Sequence, residues 1–498
     1  MGKDLRWFID ELKKNGELVE IDEEVHWNLE AAAFSTMSNR VGGPAFLFKK
    51  IKGYPEGYNL LGECLAGSWK APWRRIAIAA GAPKEIWNDP IAIQDELLRR
   101  LYSKIKPIIV SEGECQQNVH IGKDVNLFEF PWPYIHYGDG GRYGTWQTWA
   151  CMDPDSGWVN WAQYRTMIHT KNAMGVDPVV GSHMYMIFTE KWERRGKAMP
   201  CACIIGGSPM MFVGATYSAP AGLWEAENIG GLIQAPLELV KCKTVDLYVP
   251  ADAEIVLEGE IRPGERWDEG PFGEYVGFME GPRSPKFVFR VHCITHRDNP
   301  ILPFTVEGTR VNSSQAMSYA LASELWRRMR VYHDWPVRGV YITVQVPWNL
   351  HIVSTEKPYP GYIHNLVSEY FAEKTSSWWG RLIIVDSEID PTDVDQVMED
   401  WSLNVHPKRD IHITDENVPT VHHQSFLSVE EKERGYMAHI YYDATDKVGN
   451  RRVNFEDAFS EDTKNFVIKN WKNLGFEEEL EVKRRDYTLR KSIRDIIE

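Results

Sequence analysis

The sequence contains no run of eighteen apolar residues and no basic and apolar leader in its opening Met-Gly-Lys-Asp-Leu-Arg-Trp-Phe. Neither a membrane span nor a secretory signal is expected, and the chain reads as soluble and cytoplasmic. A myristoylation signal is missing as well, because Arg6 stands where Ser or Thr is needed. Cysteine is sparse: seven residues, an odd number, are scattered over a long chain, which suits reduced thiols better than a disulfide framework. The one close pair, Cys201 and Cys203, lies in the apolar run 199–205 and reads as a strand with buried thiols rather than a metal clip. Positive charge is in deficit, with 56 Lys and Arg against 71 Asp and Glu and a formal net charge of -15. That balance argues against nucleic acid or an anionic membrane as the main partner. A phosphate bound here must be met locally, by a metal ion or a few basic groups. Internal repeats and low-complexity segments are also lacking.

At 498 residues the chain is too long for one core, so two or three domains are expected. Aromatic residues make up 12% of it, including 20 tryptophans. They offer flat walls for a flat ligand, although Trp also fills cores and subunit interfaces. The spacing of Leu5, Phe8, Ile9 and Leu12 predicts a helix over 5–14, followed by a strand at 18–21, a helix over 90–101 and a short strand at 107–110. From about 117 to 310 short β runs dominate, including 244–249, 254–261 and 287–295, with one good helix near 222–232; a barrel or sandwich is implied. A long amphipathic helix at 314–331, with Met317, Leu321, Leu325 and Met329 on one face, reads as a connecting rod. Beyond it, strands at 340–346 and 382–385 alternate with helices at 362–373 and after Pro391, an α/β pattern. The charged tail 454–498 is either a subunit-wrapping arm or a solvated helix.

The stretch Asp268 to Tyr275, DEGPFGEY, sets two glutamates five apart around a Gly-Pro-Phe-Gly turn. It reads either as an exposed hairpin tip or as a turn that aims Glu269 and Glu274 at one point, where one moves a proton and the other holds a cation. Candidate companions in the β-rich middle are Asn160 and Arg165, which strand alternation would put on opposite faces unless the segment bulges, then His183 and Glu225. An amide oxygen, an imidazole nitrogen and a carboxylate suit Mn²⁺ or Mg²⁺ better than a structural zinc. Taken singly, each also fits an ordinary core or capping role.

Several long motifs occur in one order: DPDSG at 153–157 leading to Asn160 and Arg165, Gly230-Gly231 leading to LVKCKTVDL at 239–247, VPADAEIVLEG at 249–259, EGPFGEY at 269–275 and Asp443-Ala444-Thr445. In these the chain resembles the UbiD family of prenylated-FMN-dependent decarboxylases over most of its length. The resemblance implies an α/β multidomain fold with a central split β-barrel like that of flavin reductases, flanked by N- and C-terminal α/β domains. The expected limits are 1–115, 116–312, a linker helix at 313–335, a C-terminal dimerisation domain at 336–455 and a tail at 456–498. It also implies that Asn160, His183 and Glu225 coordinate Mn²⁺ (or Mg²⁺) that ties the prenylated FMN phosphate to the protein, with Ser182 and Arg165 at the cofactor. K⁺ is expected near Trp158 and the carbonyls around Ala215 to Ser218. Arg165, Glu269 and Glu274 would form a Glu-Arg-Glu network, with Glu274 as proton donor.

The reaction so implied is reversible, non-oxidative decarboxylation of an aromatic or heteroaromatic acid. A flavin prenyltransferase would supply the cofactor, and a homodimer or homohexamer is the expected assembly. Two alternatives stay open: a decarboxylase of an aromatic acyl-CoA thioester or a physiological carboxylase, and a non-catalytic subunit of a carboxylase complex. No polybasic clamp for CoA is visible. The resemblance places Asn312, Ser313, Ser314, Gln315, Met317 and Ser318 along the substrate. It leaves Glu307, His422 and His423 either at the substrate or in ion pairs and on the surface.

Overall fold

The computed structural model describes residues 3–67, 71–217, 219–308, 311–344, 349–372, 379–415, 418–419, 426–447, 449, 453 and 455–475. It is a multidomain α/β architecture built on several sheets, none of them closed. The N-terminal sheet takes strands Leu18–Val25, Ala45–Ile51 and Asn59–Gly62, and its fourth strand, Ile301–Phe304, arrives from far along the chain. Its first helix, Leu5–Lys14, starts where Asp4 accepts a hydrogen bond from the Trp7 amide at 2.8 Å, and it buries the Leu5, Phe8, Ile9 and Leu12 stripe expected from periodicity. Pro90 opens the helix Pro90–Tyr102 behind its Asp89 cap.

The central sheet has nine strands, all pairing antiparallel: Tyr143–Gly144, Thr166–Thr170, Ala173–Val176, Ser284–His296, Ala253–Glu269, Met199–Gly206, Gln147–Met152 and Val159–Gln163 in spatial order, with Asn118–Ile121 added to Ser284–His296. Cys201 and Cys203 are both buried in one of these strands, and all seven cysteines are buried free thiols. Two expectations for this region fail. Residues 244–247 are not strand, because the buried carboxylate of Glu258 accepts from the Lys243 and Thr244 amides at 2.8 and 2.5 Å and from the Thr244 hydroxyl at 2.7 Å, folding the segment into a bend. Helix is also more abundant: His183–Met186 runs into a π-helical turn, Ile187–Trp192, and Met210–Gly214 precedes Glu225–Ile233.

The helix Gln315–Arg327 is less an amphipathic rod than a buried axle. Met329 beyond its end and Leu321 and Leu325 are buried as expected, but so are Ala316, Tyr319, Ala322, Glu324 and Trp326 on its other faces. Small residues and the Trp326 indole, which donates to the Val337 carbonyl at 3.1 Å, allow neighbours on every side. Beyond it the C-terminal sheet runs Val337–Ile342, His351–Thr355, Arg381–Asp386, Ile440–Asp443 and Ile411–Ile413, parallel in its middle and antiparallel at both edges. Among the described residues no helix is long and apolar enough to cross a membrane.

Candidate active site

Arg165 lies in the turn between Val159–Gln163 and Thr166–Thr170, so strand alternation does not decide its direction. Its guanidinium makes a two-pronged contact with Glu269, Nε to Oε1 at 3.2 Å and an NH2 nitrogen to Oε2 at 2.8 Å. The same nitrogen is 3.0 Å from Asp177, and the other pairs with Glu274. Asp177 reaches on to Lys286 at 2.9 Å. Three carboxylates thus face two cations, and one proton taken up leaves the network neutral. Both glutamates are almost wholly buried, Glu269 at 1% and Glu274 at 4% exposure.

The DEGPFGEY segment is not a hairpin tip at Gly-Pro-Phe-Gly. Glu269 ends the long strand Ala253–Glu269, and Phe272–Gly273 pairs with Met279–Glu280. The reversal lies later, where the Glu274 amide donates to the Phe278 carbonyl and the Gly277 amide to the Glu274 carbonyl, both at 2.9 Å. Asp139, missed in the sequence, anchors this piece by accepting from the Gly273 amide at 3.0 Å. A β-carbon on Gly273 would lie only 2.3 Å from His136 Nδ1, so any larger residue beside Glu274 must displace that ring or the backbone.

Asn160, His183 and Glu225 come together on the wall of one cavity of about 680 Å³. Asn160 sits in an edge strand, His183 opens a helix capped by Ser182, and Glu225 opens Glu225–Ile233. Glu225 accepts from the Asn160 side-chain amide at 3.1 Å and from the Trp161 amide at 2.9 Å, yet burial pushes its carboxyl up to about 7. The Asn160 side-chain oxygen is buried without a hydrogen-bond partner among the described residues. An unpartnered amide oxygen, a carboxylate and an imidazole on one wall fit a hard divalent cation. Trp158 packs edge-on against His183 at 5.0 Å and donates to the Leu223 carbonyl at 2.8 Å.

A second cavity of about 270 Å³ adjoins the first, sharing Ala162, Tyr164, Ser182, Ala215 and Thr216. Arg165, Asp177, Glu274 and Glu307 supply its charged groups, and Phe212, Phe272, Tyr275, Met317, Leu321 and Trp379 its flat and apolar walls. Of the segment expected along the substrate, Met317 reaches this wall. The polar residues are turned elsewhere: the Ser313 hydroxyl accepts from the Leu65 and Ala66 amides at 3.2 Å, the Gln315 amide donates to the Leu65 carbonyl, and the Ser318 hydroxyl donates to the Ile342 carbonyl at 2.7 Å. The Ser314 hydroxyl donates to Glu307, whose carboxyl burial pushes up to about 7. Ser218, His422 and His423 lie outside the described residues.

Three family models match most of the chain: the 3-octaprenyl-4-hydroxybenzoate carboxy-lyase N-terminal domain over residues 9–91, its Rift-related domain over 108–310 and its C-terminal domain over 320–438. The chain belongs to the UbiD family. A pyrrole-2-carboxylic acid decarboxylase of Pseudomonas aeruginosa is 31% identical over 444 residues, 87% of this chain and 89% of that one. Among solved structures, the prFMN complex of an evolved dimeric form of the UbiD-class enzyme HmfF from Pelotomaculum thermopropionicum superposes with a TM-score of 0.77 at 27% identity, covering 91% of this chain and 97% of that one. The closed form of the vanillic acid decarboxylase of Sedimentibacter hydroxybenzoicus gives 0.80 at 28% identity, covering 96% and 100%. This UbiD-family chain is therefore similar in both sequence and fold to named decarboxylases.

Proposed function

We propose that this protein is a prenylated-FMN-dependent decarboxylase of a small aromatic or heteroaromatic acid. The observation that carries the reading is the single cleft that runs from the Asn160–His183–Glu225 wall to the Arg165–Glu269–Glu274 network, with Ser182 on both parts. A flavin mononucleotide needs such a layout: a cation-binding end for its phosphate and a dry, flat-walled end for its rings. Asn160, His183 and Glu225 would hold Mn²⁺ or Mg²⁺ against the phosphate, which removes the obstacle of the chain's net negative charge. K⁺ near Trp158 and Ala215 to Ser218 belongs to the same proposal, as do the split-barrel description of the central region, the domain limits given above, a homo-oligomeric assembly and supply of cofactor by a flavin prenyltransferase.

When bound, the prenylated flavin supplies an electron sink for the bond to CO₂. Arg165, always charged and planar, binds and orients the substrate carboxylate from the network. Glu269 holds Arg165 in place through its two-pronged contact, and Asp177 steadies the same guanidinium. Glu274, at the edge of the small cavity, delivers a proton to the ring carbon that loses CO₂ and takes it back in the reverse direction. Phe272, Tyr275 and Trp379 keep water away, which favours the departure of neutral CO₂. The flat apolar walls of this cavity suit an aromatic ring, and the sequence shows no polybasic clamp for a CoA nucleotide. The intact network argues against a silent subunit.

Coexpression with a flavin prenyltransferase tests the reading: coloured protein should release CO₂ from an aromatic acid and exchange a ring proton in D₂O. A colourless, inactive protein in the presence of Mn²⁺ would sink it.

A further inference from the structure

A second convergence of ligand-type side chains lies outside the cleft. His120 in Asn118–Ile121 and His296 at the end of Ser284–His296 are diagonal neighbours on one face, because Asn118 is opposite His296 and His120 opposite Ile294. Their ring centroids are 5.4 Å apart. Glu129, at the end of the 3-10 turn Leu127–Glu129, sets one oxygen 3.5 Å from His120 Nδ1 and the other 3.8 Å from His296 Nε2. One donor atom from each of the three residues lies within 4.8 Å of the other two.

His296 is 5% exposed, and its Nδ1 is 2.8 Å from the Arg297 carbonyl oxygen. A carbonyl can only accept, so Nδ1 carries the proton and Nε2 presents a lone pair. That lone pair faces a carboxylate oxygen, another acceptor, and has no hydrogen-bond partner among the described residues. Two acceptors turned toward each other in a buried place call for a cation between them. A proton on Nε2 fits poorly, since 3.8 Å is too long for the hydrogen bond it would make. A tetrahedral ion bonded at 2.0–2.2 Å holds neighbouring donors about 3.3–3.6 Å apart; the two imidazole–carboxylate distances here are 3.5 and 3.8 Å, to different oxygens of Glu129, and small side-chain turns would bring all three donors, already within 4.8 Å, onto one ion. The surroundings are those of a metal site: Tyr58 donates to Glu129 at 2.9 Å, and the Arg297 carbonyl fixes the His296 tautomer.

We infer that His120, Glu129 and His296 bind a divalent first-row transition metal ion, with Zn²⁺ the best match to two imidazoles and a carboxylate. The side chains of His120 and Glu129 are about a quarter exposed, which gives the ion an entrance and a water as fourth ligand. Tyr58 precedes the strand Asn59–Gly62, so the ion ties the central sheet to the N-terminal sheet.

The test is zinc binding by the full chain, dialysed against Zn²⁺ with excess Mg²⁺ to occupy oxygen-rich sites, with metal counted by mass spectrometry. Wild-type protein should hold one more zinc per chain than His120→Ala or Glu129→Gln, and only wild type should gain thermal stability from zinc. Tyr58→Phe should weaken zinc affinity roughly 10–100-fold, the usual cost of losing an outer-shell contact. Flavin content should not change in any of these variants. Equal zinc content and equal thermal response across wild type and both ligand variants would overturn the inference. X-ray absorption at the zinc edge needs no variant: two imidazole donors support the site, and a shell of oxygen alone or one containing sulfur overturns it.

Discussion

The two ends of the cleft solve opposite electrostatic problems. At the Arg165 end the protein pairs its own charges, one guanidinium against Asp177, Glu269 and Glu274, with Lys286 behind. At the Asn160 end a buried carboxyl pushed up to about 7 and an unpartnered amide oxygen share a wall. The first end is preorganised by the chain alone, and its tolerance for change is small because geometry is its product. On the proposed reading the second is completed by a bound cation, so its state would be reported by what it retains.

The sharpest way to break this contrast is Glu274→Gln. The amide keeps the shape but cannot carry the proton, so decarboxylation and ring-proton exchange should both fall by about 10²–10⁴-fold while flavin is retained. Product assays and flavin spectra on one preparation check it, and near-normal turnover would take the proton-transfer role away from Glu274. Gly273→Ala comes next. Its new methyl group meets the His136 ring, and displacement of the neighbouring glutamate by about 1 Å should cost roughly 10²-fold in turnover, again with flavin bound. At the other end the pattern inverts: His183→Ala should lower Mn²⁺ affinity by at least about 10–100-fold and lose flavin with it, measured by metal analysis and absorbance. If His183→Ala kept both, the cation would have to be held elsewhere.

How far the sequence reaches follows the same division. Asn160, Arg165, Glu269 and Glu274 stood out as candidates because they lie in or just after motifs that resemble a family's, whereas His183 and Glu225 lie outside those motifs and join Asn160 only on the wall of a folded cavity. Asp177 and Asp139 were not: each follows ordinary loop or strand context and acquires its partner, Arg165 or Gly273, only when distant segments meet. The N-terminal helix was readable from its stripe of four apolar residues, since one face of one helix decides it. The axle Gln315–Arg327 misled because burial on every face leaves no polar side to contrast with. Residues 244–247 misled for another reason, as alternation there was overruled by one buried carboxylate, Glu258, fifteen residues away from the first amide it binds. Periodicity reports local faces, whereas a site is made of long-range pairs.

Glu307 sharpens the contrast from within the Arg165 end, with the smallest expected effect. It lines the small cavity, receives the Ser314 hydroxyl, and burial raises its carboxyl from the ordinary 4.5 to about 7. A carboxyl with a raised folded-state value binds its proton more tightly folded than unfolded. Its contribution is therefore fully present below about 4.5 and is lost as pH rises toward 7. Glu63, in the same buried region and also raised to about 7, acts in the same window, so wild-type stability should fall over that range. Glu307→Gln cannot ionise and should remove only its own share, on the order of 1–3 kcal/mol between pH 5 and pH 8. Thermal or denaturant melts at the two pH values measure it. An unchanged pH slope in the variant would mean that Glu307 stays ionised in the folded protein, and that this end of the cleft holds its charges without surrendering one to burial.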